Sequence, residues 1–216
     1  MAAQARAGRR AIMIKASDGD STAGATRHKE RATQAHRLGM RVLHYAFAET
    51  GINAIAAAAA LRAAVRPVWV RGDRLVIDVE AAGGFIAPTT AIDYLHQMQR
   101  NLTAHGAPMA WGYADEALLA AGGAELADCC PFWIIAAWDG GLLGRDTPKL
   151  PRGSKSRLAA KQYTDGQVGA EPRNSPGIGA CDCSILTSSA IKLLGIPAPA
   201  KLRRPVRSKL PRIGCS

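Results

Sequence analysis

Apolar runs of strand length recur along the chain with helical stretches between them, and that alternation restricts the fold more than any other feature. AIMIK (11–15), MRVLHYAF (40–47), RLVIDVE (74–80), PMAWGY (108–113) and FWIIAAW (132–138) read as strands. Between them lie RHKERATQAHRL (27–38), a polar helical pattern ended by Gly39, and NAIAAAAALRAAV (53–65), a strong helix former closed by Pro67. Two more helices are expected near 89–104 and 115–127. Near-continuous apolar strands alternating with helices imply a parallel sheet covered by helices, an α/β chain. After Trp138 the texture changes to Gly, Pro and basic residues; AAKQYT (159–164) and GACDCSIL (179–186) are short strand-like pieces, giving roughly seven strands with few helices in the last third. In a β/α barrel the functional side chains gather at strand C-terminal ends. Asp18, Tyr45, Asp78, Glu80, Tyr113, Trp138 and Asp182 all fall at or just past such ends.

RLVIDVE ends in two carboxylates one residue apart, Asp78 and Glu80. Side chains at i and i+2 of a strand share a face, so this pair projects into one space about 6–7 Å apart along the chain. Such a pair can divide the work of acid and base, one carboxyl protonated and its neighbour ionised. The competing reading is a strand that simply runs out into solvent.

With 216 residues and 48% hydrophobic content, the chain can bury one sizeable core. Of its net charge of +11, six charges lie in residues 201–216 and three in residues 1–10, neither of which holds an acid; +2 remains for residues 11–200. The basic character therefore belongs to the ends. A Pro-punctuated basic tail suits a polyanion such as an acidic cell-wall polymer, anionic lipid or nucleic acid, or serves only as a solubilising end. Five cysteines (129, 130, 181, 183 and 215) without CxxC pairing fit free thiols in a reducing compartment. No signal-peptide core and no membrane-span length occur, so synthesis as a soluble cytoplasmic protein is expected. The five histidines form no metal-binding spacing; His28 and His36 fall on a helix expected to be exposed, and His44 faces away from Tyr45, towards helices. No cofactor or metal is called for, and neither a P-loop nor a G-x-S-x-G elbow is present.

The order of strand endings resembles the family 25 glycoside hydrolases, the Chalaropsis-type lysozymes of bacteria and phages. IMIKASDGD is similar to that family's F-I-K-A-T/S-E/D-G strand, MRVLHYAFAE to G-x-Y-H-F-A with Ala46 in place of the usual His, and RLVIDVE to the D-x-E strand. PMAWGYAD, FWIIAAW, KQYTDG and GACDCSIL resemble its later strands. The match runs from about residue 11 to 187; each motif is short, and their common order is what makes them specific. The family's opening D-x-S-x-x-Q strand has no counterpart. The resemblance thus implies a TIM-type (β/α) barrel with about seven of its eight strands: residues 1–10 as the remnant of a first helix or a basic arm, 11–187 as the barrel, and 188–216 as the basic tail.

The resemblance further implies hydrolysis of the β-1,4 bond between N-acetylmuramic acid and N-acetylglucosamine in peptidoglycan, on the cell wall and after release by lysis. Glu80 would be the general acid/base, and Asp78 would favour its protonated form by like-charge repulsion and stabilise the intermediate formed by the substrate's acetamido group. Asp182 would be a third carboxylate. Tyr45, Tyr113 and Trp138 would offer faces to sugars, and Asp18 would bond sugar hydroxyls, although each of these also has an ordinary packing or turn role open to it. Two other classes stay open: a weakly active or inactive glycan-binding relative, and a nucleic-acid binder acting through the tails.

Overall fold

The computed structural model describes residues 2–6, 8–137, 147–164, 174–175, 179–180 and 183–197. In chain order the elements are α1 (Ala2–Arg6), β1 (Ala11–Asp18), α2 (Ala25–Arg37), β2 (Arg41–Phe47), α3 (Ala54–Val65), β3 (Arg74–Asp78), a 3-10 turn (Ala81–Gly83), α4 (Pro88–Ala104), β4 (Trp111–Asp115), α5 (Glu116–Ala127), β5 (Phe132–Ala136), β6 (Arg157–Thr164), β7 (Asn174–Ser175), β8 (Gly179–Ala180), β9 (Cys183–Leu186) and α6 (Ser188–Leu193). Seven strands form one curled sheet in the order β1-β2-β3-β4-β5-β6-β9, and β7 and β8 form a separate small pair. The result is an incomplete α/β barrel of TIM type, with β1 and β9 as the edges among the described residues.

Local chemistry accounts for the element boundaries. Asn53 caps α3 by accepting from the amides of Ile55 and Ala56 at 2.8 and 3.2 Å. Pro88 occupies the first turn of α4, where its missing N–H costs nothing. Asp115 ends β4 and caps α5 through the Leu118 amide at 2.7 Å. Strands β1 to β6 run parallel, as the sequence pattern implies. The last strand differs. GACDCSIL divides into β8 and β9, and β9 runs antiparallel to β6, a pairing that needs no crossover helix. Among the described residues after β5, α6 is the only helix.

The two faces of the sheet carry different layers. On the convex side Ala46, Leu75, Ile77, Val79, Ala114, Trp133 and Ile135 join residues of α3, α4 and α5 in the largest buried cluster. On the concave side Leu43, Val76, Trp111, Tyr113, Ile134 and Ala160 pack with Ala190 and Leu194 from α6 and the turn after it. That helix sits at the N-terminal ends of the strands: Arg41 Nε donates to the Leu194 carbonyl at 2.7 Å, and Arg74 Nη2 donates to the Leu193 carbonyl. Both arginines begin strands and satisfy carbonyls at a helix C-terminus. One mouth of the curled sheet is therefore filled by α6.

Convex packing is tight where β4 meets β5. A Cβ on Gly112 would lie 2.4 Å from the Trp133 ring, which cannot swing freely because its Nε1 donates to the Ala127 carbonyl at 2.7 Å. Gly112→Ala is expected to cost about 1–3 kcal/mol through this overlap, read as a lowered thermal midpoint. An unchanged midpoint would show that the ring has room to move.

Candidate functional site

Parallel register aligns the strand ends. Asp18 lies opposite Phe47, Phe47 opposite Asp78, and Asp78 opposite Tyr113. Paired positions in a parallel sheet share a face, and Asp78 also shares the parity of Val76, a concave-side residue. These side chains therefore form one row at the C-terminal mouth. One step lower the row is Lys15, Tyr45, Val76 and Trp111.

Glu80 follows on the same side. Val79, between the two acids, is fully buried in the convex core. Its amide donates to the Tyr113 carbonyl at 2.9 Å, and the Ala48 amide donates to the Asp78 carbonyl at 2.9 Å, so sheet bonding continues beyond β3. With Glu80 in an extended conformation (φ −147, ψ 168), alternation carries both carboxyls to the concave side. Asp78 is 5% exposed, and Glu80 is more open. The chain then turns sharply: the Gly83 and Phe85 amides both donate to the Glu80 carbonyl, and the Thr50 amide donates to the Gly83 carbonyl at 2.7 Å. A Cβ on Gly83 would lie 2.1 Å from the Ala48 carbonyl oxygen, so only glycine lets this turn rest against the end of β2.

Asp18 reaches the row through an irregularity. The register of β1 against β2 shifts between Lys15 and Ser17, which places Lys15 and Asp18 on one face despite their spacing of three. Lys15 Nζ lies 3.2 Å from Asp18 Oδ1 and 4.5 Å from the centroid of the Phe47 ring. Lys15 was absent from the sequence-based candidates; its polar head in an otherwise apolar strand is the signal that could have exposed it. Nearby, burial together with the charges of Glu49 and Asp20 pushes the Tyr94 phenol up to about 12. At the mouth Lys15 is the cation beside Asp18.

The structure thus brings Asp78, Glu80, Asp18, Tyr113 and Tyr45 to one side of the sheet. Tyr113 is 6% exposed and offers little ring surface, whereas Tyr45 is more open. Trp138 and Asp182 lie outside the described residues. Ala46 points into the convex core at 1% exposure, so replacing the family's usual histidine there leaves the concave side untouched. Cys129 and Cys130 are free and buried, and burial raises both thiols, Cys129 to about 11.

A second polar group occupies the convex side. His44 does face the helices, as expected, but His28 is only 1% exposed, which corrects its placement on an open helix surface. The small side chains of Ala32 and Ala35 let α2 sit close to the sheet and draw His28 inward. His28 Nε2 and His44 Nδ1 are 2.8 Å apart, and His44 Nε2 lies 3.1 Å from Asp73 Oδ2. His36 Nε2 is 3.0 Å from the same oxygen. His36, His44 and Asp73 form a group of metal-ligand type among the described residues. Asp73 had no signal of its own, because VRGDR reads as a plain turn.

Among solved structures the chain is similar to the bacterial lysozyme of Streptomyces coelicolor, at 20% identity and a TM-score of 0.68, over 90% of this chain and 88% of that one. It is similar to a muramidase from Acremonium alcalophilum at 18% identity and a TM-score of 0.66, over 90% of each chain. A glycosyl hydrolase 25 of Streptococcus pneumoniae gives 15% identity and a TM-score of 0.60, over 84% of this chain and 80% of that one. No protein-family model and no curated protein matches the sequence. The fold is that of the family 25 lysozymes and muramidases.

Burial and, second, the proximity of His44 lower the His28 imidazole from 6.5 to about 4. Burial alone would raise the Asp73 carboxyl, but hydrogen bonds from His44 and the Val70 and Val42 amides, with His36 nearby, outweigh it and hold the group below its usual 3.8. Between pH 6.5 and about 4 the unfolded chain takes up a proton at residue 28 that the native protein refuses, so stability falls as pH falls through that window. Loss of the Asp73 contribution follows in stronger acid. Chelator-treated protein should show a thermal midpoint that declines across this window, with a shallower slope in His28→Leu. Equal slopes would remove His28 as the cause.

Proposed function

We propose that this protein is a peptidoglycan hydrolase of the lysozyme type, cleaving the β-1,4 bond between N-acetylmuramic acid and N-acetylglucosamine. The observation that carries this reading is the position of Asp78 and Glu80: consecutive concave-side carboxyls at the C-terminal end of β3, in a fold shared with lysozymes and a muramidase. Glu80, more open and set on a tight turn, is the general acid that protonates the leaving glycosidic oxygen and then the base that activates water. Asp78, buried beside it, is the carboxylate that stabilises the positive charge of the intermediate that the substrate's own acetamido group forms. Asp182 is assigned as a third carboxylate of the cleft. Asp18, Tyr45, Tyr113 and Trp138 are assigned to sugar binding, with Lys15 holding the Asp18 carboxylate in place. The site of action is the cell wall; none of the described helices is long and apolar enough to cross a membrane.

A second reading, a glycan-binding relative with little turnover, is favoured by the open β1 edge: no described strand flanks it to bring a further carboxylate to the mouth. Glu80→Gln decides between them. The amide keeps the shape and cannot donate a proton, so release of reducing ends from purified peptidoglycan should fall about 10²–10⁴-fold with wall binding retained. Asp78→Asn should be nearly as damaging. Wild-type protein that binds walls without releasing reducing ends would establish the second reading, and a fully active Glu80→Gln would remove Glu80 as the acid.

For residues 201–216, six basic side chains and no acid support a role in holding anionic wall polymers rather than in chemistry. Deleting them should weaken wall binding at low salt and flatten its salt dependence, leaving turnover on soluble glycan fragments unchanged. Identical salt curves would show that the tail does not contribute.

A further inference from the structure

We propose that His36, His44 and Asp73 form a binding site for a divalent transition ion of the zinc class on the convex side of the sheet, where the ion clamps α2 to β2 and to the turn that precedes β3. The three donors come from separate elements: His36 from the last turn of α2, His44 from the middle of β2, and Asp73 from the residue before β3. His36 Nε2 and His44 Nε2 lie 3.0 and 3.1 Å from Asp73 Oδ2, and all three ligand atoms fall within 4.8 Å of one another. Ligands of a tetrahedral ion held at about 2.0–2.1 Å lie roughly 3.3 Å apart, so only small adjustments convert this cluster into a coordination shell. Two imidazoles and a carboxylate suit zinc better than the hard ions calcium and magnesium, which prefer all-oxygen sets.

Charge supplies a second, independent observation. The Asp73 side chain is wholly buried, and within ion-pairing distance among the described residues it meets only His36 and His44. A cation at this position offsets the buried carboxylate, which has no Lys or Arg within ion-pairing distance among the described residues.

The surroundings are already arranged to orient these ligands. Val42 N donates to Asp73 Oδ1 at 3.1 Å and Val70 N donates to Asp73 Oδ2 at 3.0 Å, fixing the carboxylate plane. His28 Nε2, 2.8 Å from His44 Nδ1, orients the second ligand. With an ion on His44 Nε2, the remaining ring proton sits on Nδ1 and donates to His28 Nε2, so the same contact survives with its direction reversed. His36 leaves 15% of its side chain exposed and provides both the entry path and room for a water as fourth ligand.

The test is titration of the full, chelator-stripped chain at neutral pH with zinc chloride by calorimetry, and with cobalt chloride by visible absorption. The expected result is one equivalent bound, a raised thermal midpoint, and a tetrahedral cobalt spectrum lacking sulfur-to-metal charge transfer, which excludes the cysteines. His36→Gln, at the solvent edge of the cluster, should weaken binding at least tenfold with an unchanged circular dichroism spectrum, while His105→Gln on the surface should not. Substoichiometric uptake, a thiolate charge-transfer band, or equal affinity in His36→Gln would overturn the proposal. Because the readout is metal uptake, it stands or falls separately from the hydrolase reading.

Discussion

The parallel register of β1 to β5 is the constraint on which the rest of this structure depends. Because paired residues in a parallel ladder point the same way, the pairings Asp18 with Phe47, Phe47 with Asp78 and Asp78 with Tyr113 decide in one step which side chains meet at the mouth. A one-residue slip of β3 would carry Asp78 into the helix-covered layer and Ile77 into the mouth. What prevents that slip is the hydrophobic pattern itself. Leu75, Ile77 and Val79 are all buried against helices, and none of them tolerates exchange with Asp78.

That same parity separates two polar systems that sequence places close together. His44 and Tyr45 are adjacent, as are Asp73 and Arg74, yet the members of each pair serve different ends or faces of the sheet. His44 joins a buried histidine–aspartate cluster under α2, and Tyr45 joins the concave row. The clustering of Asp73 with His28, His36 and His44 ties α2, β2 and the 66–73 turn together through charge-assisted hydrogen bonds. It lies behind the sheet from Asp78, so its contribution is to hold β2, whose far end receives the Gly83 turn.

Strand and helix positions were legible because period and length agreed locally, as in RLVIDVE and NAIAAAAALRAAV. The acidic pair was legible for the same reason, since i and i+2 geometry survives to Glu80. What could not be read came from contacts between distant segments. The extra residue in β1 that returns Asp18 to the concave side is set by pairing with β2 and leaves no mark in IMIKASD. The reversed direction of β9 depends on how the chain returns to β6, and alternation alone carries no direction. His28 looked exposed because α2 is polar over most of its length; its burial follows from the two alanines that let the helix approach. Asp18 and Asp78 do end strands, as the apolar runs imply, and the resemblance to family 25 lysozymes could not have shown Asp73, which lies at the opposite end of β3.

The peptide from Asp78 to Glu80 is held from both sides, by Ala48 through the Asp78 carbonyl and by Tyr113 through the Val79 amide, with the Val79 side chain locked in the convex core. Asp78 is thereby placed by the sheet, and Glu80 by the turn that follows. In the proposed reading this division assigns the stabilising carboxylate to the sheet, where positive charge would develop, and the acid to the turn beside it. The anchored Asp78 and the tight Glu80 turn, packed against the Ala48 carbonyl through Gly83, would serve those proposed roles with the residues of one strand end.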